Sequence, residues 1–126
     1  MAQEVVRKEM LAQGRIVAYR FDSLGTEAAE VWYADMEAMF LTMQDEDLLL
    51  MLIDMTRADN ALLSAEAMMR GKQVGKIQYH GKTAFLVEAH DNTTMLDMFI
   101  DKGLPSTRLR EVFISEAEAI AWLLAP

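Results

Sequence analysis

The most suggestive chemistry in the sequence lies where a short apolar run ends in an aspartate. The run 48–53 is followed by Asp54 and then by a loop of mixed polarity. Open α/β sheets bind ligands beyond the carboxyl ends of their strands, so a carboxylate at this point is a candidate for ligand binding. The alternative is a structural aspartate that caps the next turn. The candidate binding residues are Asp54, Thr56, Arg57, Asp59, Asn60 and Ser64.

Other residue types that perform chemistry form no recognisable motif. His80 and His90 lack the spacing of a metal-binding helix, and His90 with Asp91 would supply only two ligands. The chain contains no Cys, which excludes thiolate catalysis and Cys-ligated metal sites. No serine lies in a G-x-S-x-G motif, and residues 71–76 lack the spacing of a Walker loop. We therefore expect no catalytic residue, no metal site and no cofactor.

Hydrophobic periodicity predicts the elements that position these residues. Trp32, Met36, Met39 and Met43 recur at spacings of three and four, which predicts a helix. An apolar run bounded by charges predicts a central strand that is buried on both faces. The predicted strands are 3–11, 15–21, 48–53, 83–87 and 109–114, with turns at 12–14 and at His80-Gly81. The predicted helices are 26–43, 61–73, a short helix after 91–94 and a final helix capped by Ser115.

This order of elements predicts a single α/β domain over residues 1–126. Strands that alternate with helices pair in parallel through right-handed crossovers. The turn between the two N-terminal strands is too short for a parallel crossover, so these strands must form an antiparallel hairpin. We therefore expect a mixed, mostly parallel sheet of about five strands with about four helices.

Composition limits the classes of partner. The 126 residues include 12 Lys and Arg against 20 Asp and Glu, which gives a net charge of −8. Nucleic-acid binders carry a basic patch, so we do not expect this chain to bind nucleic acid. The apolar runs, such as 48–53 with six residues, are far short of the ~20 of a membrane span. The first residues lack the apolar core of a signal peptide, so we expect a cytoplasmic protein. Eleven methionines could line an apolar pocket or a dimer face.

The C-terminal region resembles a known family. Residues 110–123 read as a strand that carries Phe113, then a Ser-capped helix with the pattern E-A-x-A-W-L, and the 48–54 strand ends in Asp. Both features resemble the SpoIIAA-like proteins, bacterial relatives of the STAS domain that are mostly of unknown function. The resemblance covers the whole chain. It implies a STAS-like fold and a regulatory or protein-interaction role.

One feature of that family is missing. True anti-sigma-factor antagonists carry a phosphorylated serine in an Asp-Ser-Ser/Gly run before the helix that follows the central strand. Residues 54–64 contain no such run, although Thr56 and Ser64 are hydroxyls nearby. We therefore do not expect a phosphorylation switch of that kind.

Three functional hypotheses remain. The first is a non-enzymatic interaction module that binds a protein partner or a second copy of itself as a homodimer. The alternative is a carrier or sensor of a small apolar, lipid-like ligand, which predicts a cavity of roughly a few hundred Å³. The third, an enzyme, requires Asp54 to converge with another titratable group such as His90.

Overall fold

The computed structural model describes residues 5–23, 25–44, 47–57, 80–88 and 108–125, together with Met69 and Gln73, both of which are helical. The predicted helix that follows 91–94, and the rest of the predicted helix 61–73, lie outside the described residues. The elements are β1 (Val6–Leu11), β2 (Ile16–Phe21), α1 (Thr26–Phe40), β3 (Leu48–Asp54), β4 (His80–Leu86), β5 (Arg108–Phe113) and α2 (Glu116–Leu124).

The five strands form one mixed sheet in the order β1-β2-β3-β4-β5. β1 and β2 pair antiparallel, while β2, β3, β4 and β5 pair in parallel. The α/β class, the N-terminal hairpin and the central position of β3 are therefore confirmed. Among the described residues, none of the helices has the length and apolar character needed to cross a membrane.

The hairpin turn lies at residues 12–14, as predicted. The N–H of Gly14 donates to the carbonyl of Leu11 at 3.1 Å, which closes the turn. Ala12 and Gln13 adopt positive φ angles of 51° and 60°. Two consecutive left-handed residues match the twist of the flanking strands, although only Gly, Asn and Asp adopt that conformation at low cost.

Each face of the sheet carries its own apolar core. Alternate side chains of a strand point to opposite faces, so Val17 and Met51 face α1 whereas Ile16 and Leu52 face α2. Burial of each large apolar side chain contributes about 1.5–3 kcal/mol to the free energy of unfolding. The fully buried large side chains are Tyr19, Ile16, Met36, Met51, Leu52, Leu123 and Val87.

Two predicted boundaries were wrong. α1 ends at Phe40 and not at Met43, because the chain turns where the Thr42 hydroxyl donates to the Met39 carbonyl at 2.9 Å. His80-Gly81 is not a turn but the start of β4. A Cβ on Gly81 would lie 1.8 Å from the carbonyl oxygen of Leu49 on β3, so the close approach of the two strands requires glycine there.

α2 is held at both ends. The Ser115 hydroxyl accepts from the Glu118 N–H at 3.3 Å, which confirms the predicted N-cap. At the other end, the Lys82 ammonium on β4 donates to the carbonyls of Trp122 and Ala125 at 2.8 and 2.7 Å. A cation at this point complements the negative end of the helix dipole, although α2 has no basic residue of its own in its last turn.

Candidate functional site

The predicted site residue Asp54 lies at the carboxyl edge of the sheet, beside an arginine. Arg20 and Asp54 are direct neighbours across the parallel pair β2 and β3. Both side chains lie on the face covered by α2, because Ile16 and Ala18 on β2 and Leu50 and Leu52 on β3 point into that core. The apolar core therefore ends, at this edge, in a cation and a carboxylate side by side.

Arg20 joins four elements of the fold. Its Nη1 donates to Asp54 Oδ2 at 2.7 Å and to Glu116 Oε1 at 2.7 Å, and its Nε donates to Glu9 Oε1 at 2.9 Å. Only 15% of the side chain is exposed. Hydrogen bonds to Glu116 raise the pKa of Arg20, against the effect of burial, and those to Glu9 and Asp54 raise it further. The guanidinium is therefore a permanent charge that holds β1, β3 and α2 to β2.

Both carboxylate oxygens of Asp54 accept hydrogen bonds. Its Oδ1 accepts from the backbone N–H of Thr56 at 2.9 Å and from the Thr56 hydroxyl at 2.6 Å, while Oδ2 accepts from Arg20. Burial raises the pKa of Asp54, but the bonds from Thr56 and Arg20 together outweigh burial and lower it. Asp54 thus caps the turn after β3, and its lowered pKa makes it a poor general acid and a weak general base at neutral pH.

The carboxyl-edge cluster, as we name this group, consists of Glu9, Arg20, Asp54, Thr56 and Glu116. It contains two of the six predicted site residues. Arg57 is not part of it, because its side chain is 65% exposed and its Nε lies 3.9 Å from Asp22 Oδ1. The predicted site residues Asp59, Asn60 and Ser64, like His90, lie outside the described residues.

Sequence reasoning missed three members of the cluster. Arg20 carried a usable signal, because a strand that places Ile16 and Ala18 in a core also points its next alternate residue inward. Glu9 and Glu116 carried no such signal. They are 11 and 96 residues from Arg20 along the chain, and only the sheet register and the docking of α2 bring them to it.

A second site lies between β1 and α1, on the opposite face of the sheet. We name it the β1–α1 cleft, and it encloses about 410 Å³. That volume falls in the range of small-molecule sites in proteins. Sequence reasoning did not locate it, because it arises from the packing of a helix against an edge strand. Its lining residues are Val5, Val6, Lys8, Tyr19, Glu27, Val31, Trp32 and Asp35.

The cleft combines apolar walls with polar groups that are only partly satisfied. The Tyr19 hydroxyl donates to Asp35 Oδ2 at 2.5 Å, and the Lys8 ammonium lies 3.1 Å from the same oxygen. The side chains of Lys8 and Asp35 remain 45% and 39% exposed. The indole N–H of Trp32 is buried and has no hydrogen-bond partner among the residues that the structure describes. Val31, on the wall formed by α1, is 47% exposed.

The two sites differ in what they can do. The carboxyl-edge cluster can stabilise the fold, while the β1–α1 cleft can receive a group that contacts the partly exposed Lys8–Asp35 pair and covers apolar surface. Within the described ranges, no group of three or more His, Asp or Glu side chains is placed to hold a metal ion. No family model, curated protein or solved structure matches this chain.

Proposed function

We propose that this protein is a non-enzymatic interaction module whose recognition surface is the β1–α1 cleft. The observation that carries the proposal is the polarity of the cleft. The Lys8–Asp35 ion pair, in which both side chains remain partly exposed, lies beside a wall that exposes Val31. Exposed polar groups beside exposed apolar surface give a bound partner both hydrogen bonds and apolar contact.

The role of Asp54 supports the same proposal. The enzyme hypothesis required Asp54 to converge with another titratable group such as His90 in a cleft, whereas Asp54 is engaged structurally with Thr56 and Arg20. The proposal also keeps the regulatory role that the resemblance to SpoIIAA-like proteins implies, without their phosphorylation switch. Membership of that family, a bacterial source and a cytoplasmic location remain part of the proposal.

Site-specific photo-crosslinking tests the proposal. A photoreactive amino acid replaces Val31 in one variant and Ile114 in another, and each is illuminated in cells. The two positions are closely matched, with exposed fractions of 47% and 50%, but Ile114 follows β5 at the far edge of the sheet from the cleft. We expect a defined crosslinked species from position 31 alone. A second copy of this chain in that species would identify self-association.

A crosslinked species from both positions, or from neither, would contradict the proposal. The Val31 species should also disappear when Trp32 is replaced by Ala in the same chain, because that change removes the indole from the wall of the cleft. Circular dichroism of the double variant is the control for folding.

A small apolar, lipid-like ligand is the second candidate, and the cleft volume of about 410 Å³ favours it. Native mass spectrometry of protein purified gently from its own host tests this candidate. A retained adduct that is absent under denaturing conditions would identify the ligand and place the chain among carriers or sensors. A bare mass from the same preparation would eliminate a tightly held ligand.

A further inference from the structure

We propose that the partner binds as an extended peptide that adds a strand to the outer edge of β1, with alternate side chains in the β1–α1 cleft. This inference rests on the proposed function and names the class of partner. Strand addition beside a groove is a general mode of peptide recognition, in which backbone hydrogen bonds provide affinity and pockets for alternate side chains provide specificity.

The hydrogen-bond register of the hairpin shows which backbone groups point outward. The N–H of Asp22 donates to the carbonyl of Val5, and the register pairs residue 6 with residue 21. Hydrogen-bonded and non-hydrogen-bonded pairs alternate along an antiparallel ladder. The N–H and C=O groups of Val6, Lys8 and Met10 therefore point away from β2. Among the strands that the structure describes, none lies on that side of β1.

The same three residues place their side chains over the cleft face. Their partners across the hairpin are Phe21, Tyr19 and Val17, which belong to the core beneath α1. A strand added along β1 would therefore align its backbone with Val6, Lys8 and Met10. Its alternate side chains would point toward the wall of the cleft formed by α1, which holds Val31 and Trp32.

Lys8 occupies the position where proteins commonly place a charge to block an edge strand. A lysine on an edge strand deters unselective pairing with other strands. Here the Lys8 ammonium lies 3.1 Å from Asp35 on α1, so its charge is already paired within the chain. Met10, two residues further along the edge, is 55% exposed. Within the described part of the chain, no strand pairs with this edge.

The charged residues that line the cleft limit which peptide sequences can bind there. Lys8 and Asp35 neutralise each other, so Glu27 is the remaining charge among the lining residues, and the chain as a whole carries −8. Glu27 lies in the first turn of α1. The partner segment that fits is therefore extended, apolar at alternate positions and basic where it passes Glu27.

Proline substitution on β1 separates strand addition from any other way of occupying the cleft. Lys8→Pro removes an N–H that points outward and breaks no β1–β2 hydrogen bond. Proline is therefore tolerated at this edge position. Lys8→Ala removes the same side chain and keeps the N–H. The probe is a phage-displayed library of random dodecapeptides, selected on the wild-type protein. Met10→Pro against Met10→Ala repeats the comparison if Lys8→Pro fails to fold.

We expect enriched peptides that are apolar at alternate positions and carry a basic residue, and that bind each proline variant at least about tenfold more weakly than its alanine counterpart. Equal binding to the proline and alanine variants would overturn strand addition, as would a library that yields no enriched peptide. The Val31 crosslink decides the proposed function separately. If position 31 gives a crosslink but the proline and alanine variants bind peptide equally, the proposed interaction module stands and strand addition is rejected.

Discussion

The carboxyl-edge cluster and the β1–α1 cleft are built from the same kinds of residue and yet have opposite properties. Each joins a cation on the β1–β2 hairpin to a carboxylate on another element. In the cluster, every guanidinium nitrogen of Arg20 donates to a carboxylate, and the side chain is 15% exposed. In the cleft, Lys8 meets one carboxylate, stays 45% exposed and borders about 410 Å³ of open volume. A saturated ion group fixes a structure, whereas an unsaturated one beside apolar walls can recognise something.

The sharpest test of this contrast removes the cation from each site. Arg20→Met leaves Glu9, Asp54 and Glu116 together without a positive charge, and we expect a loss of about 3–5 kcal/mol in the free energy of unfolding. Lys8→Met breaks one exposed pair and should cost under about 1 kcal/mol. Urea denaturation of the two variants measures both values. Equal losses would show that the cluster is not specially stabilising.

Acid titration of stability should identify Asp54 as part of the saturated site. Its pKa is lower in the folded chain than the unfolded value of about 3.9. Its contribution to stability is therefore fully present above pH ~4 and is lost as the pH falls through the folded pKa. We expect Asp54→Asn to cost about 2 kcal/mol at pH 7, because Asn cannot offer Arg20 a charged acceptor.

The loss of stability caused by Asp54→Asn should become smaller as the pH falls below ~4, because the wild type then loses the same ionised acceptor. Urea denaturation of the wild type and Asp54→Asn at a series of pH values gives the comparison. If the free energies of unfolding of the two proteins differ by the same amount at every pH, ionisation of Asp54 contributes nothing to the stability of the fold.

The smallest expected effect lies in the hairpin turn, outside both sites. Gln13 is exposed and has a φ of 60°, so Gln13→Gly should relieve a left-handed residue and raise the free energy of unfolding by about 0.5 kcal/mol. Gln13→Val, which is β-branched, should lower it. Thermal denaturation checks the two signs. Peptide binding should be the same in both variants, and a change in binding would show that the turn belongs to the recognition surface.

Local patterns predicted most of the described fold, and non-local contacts account for what was missed. The apolar run of β3 and the cap at Ser115 are signals carried by adjacent residues, and both were confirmed. Gly81 was wrongly assigned to a turn. Glycine is required there because the carbonyl of Leu49 lies close by, and Leu49 is too distant in sequence to give a local signal. Asp54 was identified, but its role depends on Arg20, 34 residues away. The cleft had no sequence signal, since its walls meet only when α1 packs on the hairpin.

The attachment of α2 at both ends has a consequence for biosynthesis. Arg20 holds Glu116 at the start of this helix, and Lys82 holds the carbonyls at its end. α2 is the last of the described elements to leave the ribosome, so until then one face of the sheet, including Ile16 and Leu52, has no cover from it. Among the described elements, one late docking event therefore both covers Ile16 and Leu52 with α2 and completes the carboxyl-edge cluster.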